Sequence, residues 1–461
     1  MYIMTINEIA SAINGQLIQG DGNLKVSQVS TDTRQINPGD LFIALAGERF
    51  DAHDFLGQAV AAGAAALVVS RDGFSGDVPV IKVEDTLQAL QQLARYNRDK
   101  FDGPVVAITG SNGKTTTKDM ITSVLSRKYN TLKTEGNLNN EIGLPLTLLK
   151  LGPEHQAAVV EMGMRGLGQI SELGSMARPD VAVITNVSEV HLELLGTIDN
   201  IARAKGEILD YLNLRGRAIL NGDDPLIRRE AGRYTGKIIF YGFEENNDLR
   251  AYHIEAGESG SVYRVTYRDQ QREVTLPVLG RHNVLNSLAA VGVGLELGLT
   301  WEQVVEGLEN LQLTGMRLEL IETSRWLVIN DAYNANTAAT KAALQVLQQV
   351  ATQRISRKIA VLGNMFELGT QAVEGHREVG RTAVDIGVDF LVTVGELAEE
   401  IAEGARQRGL DGLKIEVCPD NQAAVRALHS VLQQGDTVLV KGSRGMKMEQ
   451  VVAALTKEDG F

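Results

Sequence analysis

Apolar and polar positions along this chain fall into a repeated pattern. Short β-branched runs at 65–69, 105–109, 157–160, 181–184, 326–330, 359–362, 390–394 and 437–440 alternate with longer stretches whose apolar spacing is helical, such as 55–62, 116–126 and 199–209. Strands separated by helices in this way favour parallel sheets joined by right-handed crossovers, so the predicted class is α/β. A polar stretch at 251–277 breaks the pattern, with period-two alternation through Val262-Tyr263-Arg264-Val265-Thr266-Tyr267 that reads as extra strands. Turn signals at Asn37-Pro38-Gly39-Asp40 and Asp102-Gly103-Pro104 punctuate the chain, and the second precedes the 105–109 strand. A further block of alternating runs begins near Arg317 and reads as a second doubly wound sheet. The expected organisation is three α/β domains: a small one over 1–103, a central parallel-sheet domain over 104–315 that resembles a P-loop ATPase, and a Rossmann-like one over 316–461.

Composition narrows what such a protein does. The 461 residues hold 44% hydrophobic side chains, enough for real cores, and the formal net charge of -13 with a pI near 5.2 argues against a general nucleic-acid binder. A single cysteine, Cys418, excludes an internal disulfide and fits a reducing compartment. The longest apolar stretch, 59–69, is well short of the roughly 20 residues that cross a bilayer, so a cytoplasmic protein without membrane insertion is expected.

The densest chemistry lies directly after the 105–109 run. Gly110-Ser111-Asn112-Gly113-Lys114-Thr115-Thr116 places glycines where a strand turns into a helix, so that backbone N–H groups can face an anion. Lys114 adds a compact cation for the outer phosphates, and the Thr115 hydroxyl suits Mg²⁺ as a helix begins near Thr116. The common spacing G-x-x-x-x-G-K-[ST] would put glycine at Ile108, so this is a short variant of the phosphate loop. Ligands of open parallel sheets collect beyond the carboxyl ends of the strands. Two further strand ends therefore matter: the 157–160 run ends in Glu161, a candidate oxygen ligand for nucleotide-bound Mg²⁺, and the 181–184 run ends in Thr185-Asn186 and soon reaches His191, a candidate for a second metal shell. Lys205, in a helical segment with Glu207 close by, reads from spacing alone as a surface lysine.

These residues resemble the Mur ligases of peptidoglycan precursor synthesis, which share a three-domain plan and the loop T-G-x-N-G-K-T, here Thr109 to Thr115. The likeness runs nearly end to end. It implies that Glu161 and Thr115 bind Mg²⁺, that His191 serves a second Mg²⁺, and that Lys205 is the family's carbamylated lysine holding that ion, so that Lys114, His191 and Lys205 carry the catalytic roles. It further implies that Asn283 and Asn286, in and after Gly280-Arg281-His282-Asn283, lie on the adenine side, that Arg317 is the family's arginine, and that Asp331 binds ribose. ATP and Mg²⁺ are the implied cofactors.

Four stretches resemble the branch of the family that joins D-alanyl-D-alanine to a UDP-N-acetylmuramoyl-tripeptide: Asp32-Thr33-Arg34 with Pro38-Gly39-Asp40-Leu41-Phe42, then 136–145, then Asp331-Ala332-Tyr333-Asn334-Ala335-Asn336, then 361–369. The D-N-P-R tetrapeptide of the branch that adds the third amino acid is absent. On this likeness Ser30, Thr31 and Arg34, with the stretch 50–53, hold the UDP part of the substrate, and Asn137, Asn139 and Asn140 meet it near the γ-phosphate. The cations of Lys441-Gly442-Ser443-Arg444-Gly445 suit an anionic ligand once the domains close. Ala52, Thr337 and Asn364 depart from the residues usual in this branch. A monomer acting on these two substrates through an acyl phosphate is the expectation. The alternatives at this point are a folylpolyglutamate synthase, the ligase for the third amino acid, and a nucleotide-gated switch, although N-K-x-D has only a near match at 456–459.

Overall fold

The computed structural model describes residues 1–47, 50–74, 76–189, 192–257 and 260–457. Three larger sheets organise these residues. Near the N-terminus, five strands lie in the order Gln16–Gln19, Val80–Lys82, Ala66–Val69, Leu41–Ile43, Val29–Ser30, all parallel neighbours except the first pair. Buried Phe42, Leu67 and Val69 pack on one face, while Leu41, Ile43 and Val68 face a core shared with the central sheet.

The central sheet has nine strands. Seven pair in parallel, from Thr131–Lys133 through Ala157–Glu161, Val105–Thr109, Val181–Ile184, Arg217–Asn221 and Lys237–Gly242 to Leu249–Ala256. The polar stretch at 251–277 forms no separate insert. Its strands Ser261–Tyr267 and Gln270–Leu276 extend the same sheet in antiparallel register, with Tyr263, Val265 and Val274 buried under the helix Arg281–Glu296 and the outer face polar. Val106, Ile108, Val181 and Val183 are wholly buried, and each such side chain contributes roughly 1.5–3 kcal/mol by leaving water. Because Val105–Thr109 lies between Ala157–Glu161 on one side and Val181–Ile184 on the other, successive strands are added to opposite sides of it and the order of connections reverses there, although all three run parallel. That switch opens a crevice at the carboxyl ends of all three strands.

The C-terminal sheet has six strands in the order Glu319–Glu322, Leu327–Asp331, Thr437–Lys441, Lys358–Gly363, Phe390–Val394, Ile415–Cys418, parallel except for the first. Separate apolar clusters cover its two faces, as expected of a doubly wound sheet. Local chemistry sets the helix ends: Asn336 accepts from Ala339 N to start Thr337–Arg354, and Thr300 with Gln303 forms a capping box at the start of Trp301–Glu309. No helix among the described residues is long and apolar enough to cross a membrane.

Candidate active site

The phosphate loop sits at the switch point. The helix after it, Lys114–Leu125, begins at Lys114, ahead of the start near Thr116 read from sequence, because Gly113 takes a left-handed conformation (φ +79°) that turns the chain sharply into the first helical turn. Among the described residues, no side chain caps this helix, so its leading N–H groups point outward at the partly positive end of the helix. Packing also demands glycine at both loop ends. A Cβ on Gly110 would lie 1.9 Å from Thr185 Oγ1, and one on Gly113 would lie 2.6 Å from Asn286 Oδ1.

The segment after Val181–Ile184 holds the loop in shape. Ser111 N donates to Asn186 O (2.9 Å), Asn112 N to Asn186 Oδ1 (3.0 Å), and both Thr185 Oγ1 (2.6 Å) and Asn186 Nδ2 (2.9 Å) donate to Asn112 O. Ser111 Oγ donates to Ser188 O at 3.1 Å. The Thr185-Asn186 pair thus acts as a brace for the loop backbone. From the C-terminal sheet side, Asn336 Nδ2 donates to Asn112 Oδ1 at 2.6 Å.

Beside the loop, oxygen donors converge. Thr115 Oγ1 donates to Glu161 Oε2 (2.8 Å) and accepts from Arg317 Nη2 (2.9 Å), while Asn139 Nδ2 donates to Glu161 Oε1 (2.8 Å). Thr134 Oγ1 accepts from Glu161 N at 3.0 Å. A hydroxyl and a buried carboxylate facing each other are the hard donors that Mg²⁺ takes, so this pair fits one such ion. The Arg317 guanidinium lies 4.2 Å from the Tyr333 ring centre, and its buried Nε has no partner among the described residues. Lys114 Nζ folds back to donate to Gly110 O at 2.7 Å. Burial holds its pKa below the usual lysine range; Glu161 opposes that shift, and Arg317 adds to it.

Lys205 is not the surface lysine that spacing implied. It is 2% exposed in the helix Ile198–Gly206, and no hydrogen bond or ion pair joins its ammonium to a described residue. Burial, then repulsion from Lys114, drives its pKa well below the lysine range, favouring a neutral amine. Its neighbour Glu207 takes no part in this: both its oxygens accept backbone N–H groups, of Gly168 (2.8 Å) and Ser171 (3.0 Å), at the start of the helix Gln169–Ala177. His191 lies outside the described residues, and no group of three or more metal-ligating His, Cys, Asp or Glu occurs among the described ones.

Other expected residues are placed as follows. Asn283 and Asn286 are buried, with Asn283 Nδ2 donating to Leu279 O (2.7 Å) and Asn286 against Gly113. Asp331 ends its strand with Oδ2 accepting from Lys441 Nζ at 2.5 Å, and Lys441 also donates to Asn334 O at 2.9 Å. Half-buried His282 stands near this pair, its pKa lowered to about 4 by desolvation, with Asp331 opposing and Lys441 reinforcing the shift. Of the three asparagines only Asn139 meets this cluster; Asn140 Oδ1 accepts from Gly143 N (2.9 Å) at the start of the helix Gly143–Leu148, and Asn137 is exposed. Ser30 and Arg34 bond within their own turn: Ser30 Oγ donates to Asp32 O, and the Arg34 guanidinium, 85% exposed, forks onto the Asp32 carboxylate at 2.7–3.2 Å. Thr31 is half-buried in that turn.

Sequence reasoning missed two buried charges on the loop helix. Lys118 is 1% exposed and Asp119 2% exposed. The signal was present in a Lys-Asp pair within an otherwise inward-facing helix turn. Desolvation raises the Asp119 pKa, but Lys118, the Thr314 N–H and Lys133 together outweigh it and bring the net shift down.

Comparisons with known proteins agree with this geometry. Residues 25–98 match the Mur ligase family catalytic domain, 108–294 the Mur ligase middle domain, and 316–444 the Mur ligase glutamate ligase domain. The chain is 40% identical over 464 residues to UDP-N-acetylmuramoyl-tripeptide--D-alanyl-D-alanine ligase of Bacillus subtilis, covering 99% of each sequence. Its fold matches the crystal structure of MurF from Acinetobacter baumannii with a TM-score of 0.91 at 35% identity over 99% of both chains. It also matches MurF ligase from Thermotoga maritima in complex with ADP, with a TM-score of 0.83 at 31% identity over 94% of this chain and 98% of that one. With a short phosphate loop braced at a sheet switch point, an oxygen cluster beside it and full-length relatives of this kind, the chain belongs to the Mur ligase family.

Proposed function

We propose that this protein uses ATP to join D-alanyl-D-alanine to UDP-N-acetylmuramoyl-tripeptide, releasing ADP and phosphate, in peptidoglycan precursor synthesis. The observation that carries this reading is the meeting of Lys114, Thr115, Glu161 and Arg317 at the mouth of the loop, in a chain whose full-length relatives bear that ligase's name.

Forming an amide from a carboxylate in water requires the acid to be activated first. A terminal carboxylate oxygen of the tripeptide attacks the γ-phosphorus of ATP, the bond from that phosphorus to the bridging oxygen breaks, and ADP leaves an acyl phosphate behind. The neutral amine of the dipeptide attacks the acyl carbon and loses its proton, and collapse of the tetrahedral adduct breaks the carbon–oxygen bond to phosphate. No protein nucleophile is required. Loop N–H groups from 110–116 hold the phosphates, and the Lys114 ammonium exchanges Gly110 O for phosphate oxygens. Arg317 brings a second fixed cation to the transferring group. Thr115 and Glu161 would hold Mg²⁺, which supplies charge neutralisation of the phosphates when bound. Lys205, kept neutral and buried, is the amine on which CO₂ would give a carbamate, converting a buried base into an anionic oxygen donor. Asn283 and Asn286 would face the adenine, Asp331 the ribose and the Ser30–Arg34 turn the uridine diphosphate end. Because Arg317 and Asn336 reach the loop from the C-terminal unit, nucleotide binding would draw the units together and shield the acyl phosphate from water.

Phosphate release measured with ATP and UDP-N-acetylmuramoyl-tripeptide, with D-alanyl-D-alanine supplied or withheld, tests the assignment. Sustained release is expected only with both substrates. Release driven by another amine, or by another acid in place of the tripeptide, overturns it.

A further inference from the structure

The loop helix carries a buried ion cluster about one turn beyond the phosphate loop, and the connection into the C-terminal sheet runs across it. The Asp119 carboxylate accepts from Lys133 Nζ through Oδ1 (3.0 Å) and from the backbone N–H of Thr314 through Oδ2 (2.9 Å); Lys118 Nζ lies 3.6 Å from Oδ1. Three positions after Thr314, the Arg317 guanidinium reaches back to Thr115 Oγ1. Thr115 and Asp119 are four residues apart on one helix, hence on one face and about 6 Å apart along the axis. The bent segment 314–317, with Met316 at φ +63°, connects those two points. The connector therefore lies along the first turns of the helix, tied at Asp119 and delivering Arg317 at Thr115.

A carboxylate is unfavourable to bury, and this one sits where an apolar residue would pack more cheaply. Its two backbone-independent cations and one backbone N–H make it a rigid acceptor, so the path of 314–317 is pinned before any nucleotide arrives. We propose that Asp119 is a positioning residue of the ligase reaction: by holding the Thr314 N–H it sets the reach of Arg317 to Thr115 and hence to the transferring phosphoryl group. Lys133 and Lys118 keep it ionised for that task. The inference rests on the role given to Arg317 above.

The test is a double-mutant cycle on the full-length enzyme with Asp119→Asn, Asp119→Ala, Arg317→Ala and the paired variants, read as kcat and KM for ATP with thermal unfolding recorded for each. Asp119→Asn is included because it keeps one carbonyl acceptor and the side-chain volume. If Asp119 acts through Arg317, Asp119→Ala lowers kcat by about tenfold or more in the native background and Asp119→Asn by less. In the Arg317→Ala background the same changes alter kcat by no more than about twofold. An equal fold-loss in both backgrounds overturns the proposal, as does failure of both Asp119 variants to yield folded protein, which would make the residue a general element of the core. Arg317→Ala with native turnover would instead remove the role proposed for Arg317 itself, so the two failures are told apart.

Discussion

Replacing Lys114 by methionine separates catalysis from stability in a way the structure makes quantitative. In the free protein the ammonium is poorly placed: it is half-buried, donates to Gly110 O at 2.7 Å, and is held below the normal lysine range by desolvation and by Arg317. A lysine whose folded pKa is depressed lowers stability wherever both states would be protonated, and that penalty fades as pH rises through the folded value toward the unfolded one. Methionine keeps the stem volume and removes the charge. At neutral pH the nucleotide-free variant should therefore melt no lower than the native protein, and any gain should shrink as pH rises toward the ordinary lysine value. Turnover should behave oppositely. A cation about 4 Å from the transferring phosphoryl charge, at an effective dielectric near 20, is worth about 4 kcal/mol. Loss of that term in the transition state alone lowers kcat by about a thousandfold. Phosphate release under saturating substrates, with parallel melts across pH, provides both readings. Turnover within about tenfold of native, or a melting temperature lower by several degrees, would refute the reasoning.

Three other expectations follow from the same geometry. Lys205→Ala should abolish turnover yet regain part of it with added short carboxylic acids, because an anionic oxygen can re-enter the space of a buried amine; a variant with native activity would exclude a carbamate there. Gly113→Ala forces a Cβ to 2.6 Å from Asn286 Oδ1 at φ +79°, so ADP affinity by calorimetry should weaken by roughly tenfold, and unchanged affinity would contradict the packing account. His282, neutral in the folded state down to about pH 4 but titrating near 6.5 when unfolded, should take stability away as pH falls between those values, on the order of 2 kcal/mol. His282→Gln should flatten that limb in chemical-denaturation series, and an unchanged slope would count against burial as the cause.

Much of this molecule was legible from the chain because the informative signals are local. The strand Val105–Thr109, the glycines after it and the helix that follows are contiguous, so a reading of β-branched runs and turn chemistry finds the phosphate loop and the carboxyl-end residues Glu161 and Thr185. Alternating runs likewise announced the parallel sheets, and the resemblance in the loop foretold the family. Tertiary structure alone decided the rest. Arg317 meets Thr115 across 202 positions and Asn336 meets Asn112 across 224, distances over which periodicity carries no information. The same holds for Lys205: its helix spacing is ordinary, and only the packing of Ile198–Gly206 among the helices Gln169–Ala177 and Pro225–Glu230 and the segment Glu207–Tyr211 turns a surface lysine into a buried base beside Lys114. Asn137, Asn139 and Asn140 look equivalent in sequence, yet chain path gives them separate settings: solvent, the Glu161 carboxylate and a helix start. Residue order dictated which chemistry was present; the folded path, by choosing which groups lose water together, determined which of it was coupled.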